Sequence, residues 1–186
     1  MSYIATQLPD DVFETIQKNA GILLNSFDPS TWTVERASIK GATTGGLNFS
    51  DVPTYMDFGE DIDNCPKNMK ELKELDDREI TVSGTYVAVR PEEIANLAGA
   101  ADFSANKITP RNTLKEADFK ELWFVCDYGA GGALALKLNN ALNTAGLSIQ
   151  TSDKAKGQFA FTYTAHYSID DPDTVPYEIF IKEEAA

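Results

Sequence analysis

The chain has one histidine, His166, and two cysteines, Cys65 and Cys126. A thiol made nucleophilic by an imidazole needs both groups within hydrogen-bond reach and a third group to orient the base. Cys126 is the thiol that such a reading would pair with His166, and a triad would further need an acid to orient the imidazole. His166 falls on the threonine-bearing side of an alternating stretch, where a surface or interface imidazole is the ordinary outcome. One histidine and two distant cysteines match no zinc spacing. Asp57, Glu60, Asp61 and Asp63 offer oxygen ligands for calcium. Counted from Asp61, however, Pro66 stands where the loop glycine is needed and Leu72 where the bidentate glutamate is needed. Gly129-Ala130-Gly131-Gly132 has Leu134 in place of the third glycine of a dinucleotide fingerprint, and Gly41 to Gly46 lacks the lysine of a phosphate loop. The expectation is a protein without catalytic residues, metal or cofactor.

Composition sets further bounds. With 186 residues, 42% hydrophobic and 24% charged, the chain suits a single globular domain, 1–186. A net charge of −13 with scattered Lys and Arg argues against binding nucleic acid by phosphate neutralisation. The first residues lack the basic and apolar pattern of a secretory signal, and Asn48-Phe49-Ser50 is then a chance match to the glycosylation motif. The short apolar run Ile22-Leu23-Leu24 is far from spanning a bilayer, and the two dissimilar cysteines suggest reduced thiols.

The elements that would position these residues are mostly strands. In residues 157–169, Phe159, Phe161, Tyr163, Ala165, Tyr167 and Ile169 share one face, and Gln158, Thr162, Thr164 and His166 share the other. That period of two predicts one long half-buried strand. Residues 1–30 read as an arm or a short helix. Thr33 to Ile39 reads as a strand, Gly41 to Gly46 as a turn, and Leu47 to Phe49 as a second short strand. Residues 51–77 combine Pro53, Gly59 and Pro66 with many acids, and read as a long contact loop. Arg78 to Val89 alternates strictly, with Gly84 marking a bulge or a close approach. Pro91, Glu92 and Glu93 open a helix over 91–101. Asp102 to Asp118 reads as loop with one short strand, Phe119 to Cys126 and Ala133 to Leu138 as strands, Leu147 and Ile149 as the start of another, and Tyr177 to Ile181 as a terminal strand.

Three segments taken together resemble a known family: GATTGGLNFSDVPTYMDFGEDIDNCPKNMKELKELDD (41–77), EITVSGTYVAV (79–89) and KGQFAFTYTAHYSIDDPDTVPYEIFIK (156–182). With PEEIANLAGAAD (91–102) and the strand after it, they are similar to the major tail tube proteins of long-tailed, siphovirus-type bacteriophages and prophages. The resemblance covers most of the chain and includes no catalytic signature. It implies a mainly β fold, a sandwich or barrel of the tail tube type with one flanking helix and a long inter-subunit loop. It further implies a structural subunit of the virion tail, made and assembled in the bacterial host cytoplasm. Copies would form hexameric rings that stack into a conduit for DNA ejection and meet the tape measure, tail terminator and tip proteins. DNA would pass through without specific binding, and an acidic wall would repel it rather than hold it.

On this reading the contact residues are Phe13, Leu23, Leu24, Tyr55, Met56, Phe58 and Met69. Gln158, Thr162, Thr164 and His166 face the lumen. The competing expectation is a monomeric β-sandwich module that binds carbohydrate or a receptor through exposed rings such as Trp32, Tyr55 or Trp123.

Overall fold

A computed structural model describes residues 8–9, 12, 16–17, 19–129 and 131–183. Its strands are β1 (Ile22–Leu24), β2 (Gly41–Asp57), β3 (Lys73–Val89), β4 (Ala101–Ser104), β5 (Lys107–Pro110), β6 (Lys120–Tyr128), β7 (Gly132–Asn143), β8 (Phe159–Thr164) and β9 (Tyr177–Lys182), with one described helix, α1 (Pro91–Leu97). Seven strands follow the path β1-β6-β7-β8-β3-β2, with β9 on β7, and every pairing is antiparallel.

Strand β7 folds this path into two layers. Its first part pairs with β6 and β9, and only Leu142 and Asn143 reach β8. Between those parts the register with β6 slips, and Asn140 adopts a left-handed φ of 49°. A bulge of this kind bends a strand and lets it change sheets. The main core lies between the layers, with Leu23, Leu122, Phe124, Leu136 and Leu138 from one and Ile80, Val82, Tyr86, Phe161 and Tyr163 from the other. The alternating face foreseen in 157–169 supplies Phe161, Tyr163 and Ala165, but the ladder ends at Thr164. Tyr167 and Ile169, expected on the same buried face, are exposed. Gly84 is a close approach: a Cβ there would stand 2.7 Å from Leu47 and 2.9 Å from Phe161.

Leu23 and Leu24 are corrected from contact residues to core. Both are fully buried, Leu23 in the main core and Leu24 in a second cluster with Trp123, Val125 and Ala135. Residues of the segment 25–39, among them Phe27, Trp32 and Ile39, cover that second face, which explains the unbroken buried run Leu122 to Cys126 in β6. Trp32 and Trp123 are therefore packing residues rather than stacking platforms. Phe13 and most of the segment before residue 19 lie outside the described residues.

Other boundaries also move. Residues 33–39 hold a 3-10 turn at Arg36–Ser38 instead of a strand, and Gly41 to Gly46 is the start of β2. There Gly45 and Gly46 take positive φ values in a bulge opposite the Thr85–Gly84 step. Leu147 and Ile149 are exposed, outside any named strand, with a single bridge at Gln150 to Gln158. Residues 101–110 form a hairpin, β4–β5, turned by Ala105 and Asn106, both at positive φ. Arg111 ties it down through Asp102 and Asp118.

Helix α1 stops at Leu97, with Gly99 left-handed just beyond it, and buries Glu93, Ala95 and Leu97. Glu93 is buried because Lys40, just before β2, meets it at 2.8 Å, with both side chains nearly inaccessible. Lys40 Nζ also donates to Asn25 Oδ1 at 2.9 Å. Burial pushes the Lys40 ammonium below its ordinary range, and the Glu93 carboxylate opposes that shift. Removing one partner leaves the other charged and dry. Glu93→Ala is therefore expected to destabilise the fold by about 3–5 kcal/mol, while Lys40→Met with Glu93→Leu recovers most of the loss. Urea midpoints of the three proteins check this.

Candidate assembly surface

Strands β2 and β3 are each 17 residues long and pair from Gly41↔Val89 to Asp57↔Lys73. The contact loop expected over 51–77 is thus corrected. Residues 51–57 and 73–77 are strand, and only the tip between Asp57 and Lys73 is loop, with a 3-10 turn at Lys70–Leu72. The ladder leaves the core beside Asp51, which is ion-paired with Arg78 and accepts a hydrogen bond from Tyr177 Oη at 2.9 Å. The Tyr177 ring packs 5.3 Å from Phe49. That hydrogen bond, the largest influence on the Tyr177 hydroxyl, raises its pKa.

Past this clamp the ladder continues as a projecting arm. The last of three register shifts in the ladder leaves Asp76 unpaired between Thr54↔Asp77 and Tyr55↔Leu75. The extra residue shifts side-chain parity on β3 alone. Consequently Tyr55, Leu75 and Lys73 continue the face that carries Phe49, Val82 and Ile80 inside the core. Lys73 Nζ sits 5.7 Å from the Tyr55 ring centre. Val52 and Met56 occupy the opposite face. Tyr55, Met56, Phe58, Ile62, Met69 and Leu75 are all exposed, between 39% and 55%. Such a concentration of large apolar side chains in water makes the arm the candidate surface.

The tip is ordered by a carboxylate. Asp57 accepts backbone N–H bonds from Gly59 at 3.0 Å and Asn68 at 3.1 Å. Lys73 Nζ donates to Asn68 Oδ1 at 3.0 Å. Phe58 N–H reaches back to the Leu72 carbonyl at 2.9 Å, and Cys65 Sγ lies 3.6 Å from Met69 Sδ. The two backbone bonds hold the Asp57 carboxyl below the ordinary carboxylate value of 3.8.

Strand β2 is an edge, since among the described strands only β3 pairs with it. Pro53, which has no N–H to give a neighbour, is tolerated there for that reason. The outward face of the β2-β3-β8 layer presents two rows, Asn48/Ser83/Thr162 and Ser50/Thr81/Thr164. Both rows consist of hydroxyl and amide groups, and Thr164 Oγ1 lies 2.7 Å from Thr144 Oγ1.

The structure therefore brings Tyr55, Met56, Phe58 and Met69 together on one arm, and joins to them Val52, Ile62 and Leu75, which the sequence reading did not single out. Thr162 and Thr164 share the hydroxyl face; exposed Gln158 lies just before β8 and His166 just after it. His166 lines a cleft with Phe119 and Asn140, whereas Cys126 is buried in the main core with its thiol pKa raised by burial, so the two do not form a site. Among the described residues no group of three His, Cys, Asp or Glu is placed to hold a metal, and no helix is long and apolar enough to cross a membrane. No protein-family model matches the chain, and no curated protein matches it.

Asp57 gives this surface a pH dependence. Its folded pKa is depressed, so its contribution to tip order is present above the unfolded value and is lost as pH falls through the lower folded one. The Gly59 and Asn68 amide resonances are expected to titrate together with an inflection below 3.8, and Asp57→Asn to abolish it. NMR spectra recorded across the acid range check this.

Proposed function

We propose that the chain is a self-assembling structural subunit of a bacteriophage tail tube, forming hexameric rings that stack into a conduit for DNA. The observation that carries this reading is the β2–β3 arm. An acidic protein that buries its core leucines completely leaves a cluster of large apolar side chains in water on one hydrogen-bonded projection. A second copy is the partner at hand, and an open edge strand offers it backbone pairing. The hydroxyl and amide rows also support the reading, because they offer no cation to a passing phosphate. The hexameric count, the tape measure, terminator and tip partners, and the place in the virion tail rest on the sequence resemblance alone.

Electron microscopy and sedimentation of the purified chain, concentrated to about 1 mM, test the reading. Rings or tubes with a central hole are expected. Tyr55→Ser with Phe58→Ser should weaken assembly by at least ~30-fold, the loss of one anchor residue worth about 2 kcal/mol. Circular dichroism should stay unchanged, since both side chains are exposed. A protein that remains monomeric throughout, or that assembles equally well without the two rings, overturns the proposal.

A further inference from the structure

Away from the arm, the chain leaves β8 and passes beneath the start of β6. Here a cleft of about 760 Å³ is lined by Glu116, Phe119, His166, Tyr167, Ser168 and Ile169, among others. A smaller one of about 330 Å³ adjoins it across His166, with Glu121 and Asp171 on its wall. The larger lies within the span of small-molecule sites.

The cleft is held by the bend of β7. Asn140 Nδ2 donates to the His166 carbonyl at 3.2 Å, and the His166 ring nitrogen Nδ1 lies 3.1 Å from the Asn140 carbonyl. A carbonyl only accepts, so Nδ1 carries the proton and Nε2 is left with a lone pair in the neutral ring. Nε2 has no hydrogen-bond partner among the described residues. The ring is fixed further by Phe119, edge-on at 5.2 Å and 77°. Asn140 takes its left-handed φ of 49° at this same point, a region that asparagine enters more readily than most residues, and so turns the strand where it meets His166. On the rim, Tyr167 is 39% exposed and Ile169 is 95% exposed.

These groups select a ligand chemistry. The acceptors without a partner among the described residues are the Glu116 carboxylate and, in the neutral tautomer, Nε2, and Ser168 adds a hydroxyl that already accepts from the Asp170 amide at 3.3 Å. An anion would face Glu116, Glu121 and Asp171 on a chain of net charge −13. A purely apolar ligand would leave the acceptors dry and unpaired. A ligand with several hydroxyl donors and one C–H face for the Phe119 and Tyr167 rings satisfies both sides. We infer that this cleft is a binding site for a neutral pyranose sugar. The inference stands independently of ring assembly.

Full-length protein labelled with ¹⁵N is titrated with methyl glycosides of glucose, galactose, mannose, rhamnose and N-acetylglucosamine to about 20 mM, the range of weak single-sugar sites. Glycerol and n-butylamine serve as polyol and cation controls. At least one glycoside is expected to shift amides of residues 116–119, 140 and 166–169, saturating where glycerol does not. Tyr167→Ala, on an exposed side chain, and His166→Phe, which keeps the ring but removes the acceptor, should each weaken that binding ~10-fold or more. The inference is overturned if no glycoside shifts these amides, if glycerol or butylamine shifts them equally, or if binding survives both substitutions.

Discussion

One hydrogen-bonded ladder, β2–β3, belongs to two environments, and the rest of the structure depends on that. At one end its side chains fill the sandwich. There Val82 and Tyr86 face Tyr163 and Phe159 across β8, and Leu47 and Phe161 close over Gly84. At the other end the same ladder runs into water with Tyr55 against Leu75. A loop of this length would lose order at each unpaired residue, whereas a paired ribbon spends its backbone donors and acceptors internally. The arm can therefore project apolar side chains at fixed spacing without a core beneath them.

Two polar devices fix the ladder to the body. Lys40 and Glu93 join the start of β2 to α1, and Asn25 Oδ1 accepts one more hydrogen bond from the ammonium. Asp51, Arg78 and Tyr177 sit where the ladder emerges and link it to β9. A charge pair in a dry setting is costly unless its geometry is kept. Each pair thereby opposes sliding of the hairpin against the sandwich, adding to the register that the alternation of buried Ile80, Val82 and Tyr86 already sets. The bend of β7 at Asn140 is the third fixed point. It joins the layers and places His166 at the foot of its cleft.

Much of the β core was legible because its periodicity is undisturbed. Phe159 to Ala165 and Glu79 to Val89 alternate as their burial does, and Pro91 with its two glutamates does begin the helix. The β2–β3 ladder was not read as continuous strand because its signals are broken locally. Gly45 and Gly46 form a bulge that imitates a turn, Pro53 argues against a strand unless the strand is an edge, and the unpaired Asp76 reverses the parity of everything before it. Tyr55, Met56, Phe58 and Met69 were nonetheless singled out, since exposed aromatics among acids remain visible without the strand assignment. Leu75 was hidden by the bulge. Leu23 and Leu24 misled because consecutive apolar residues suit a sticky arm as well as a strand buried on both faces. The pairing of His166 with Asn140 joins residues 26 apart through a left-handed bend, and no local pattern announces it.

Hydrogen exchange read by mass spectrometry on dilute and concentrated protein tests most directly whether the arm is the assembly element. The account predicts that residues 47–57 and 73–79 exchange at least ~10-fold more slowly once the chain has associated, because a neighbour then covers both the β2 edge and the exposed rings. Association with unchanged exchange along this ladder, and protection elsewhere on the sandwich instead, would contradict it.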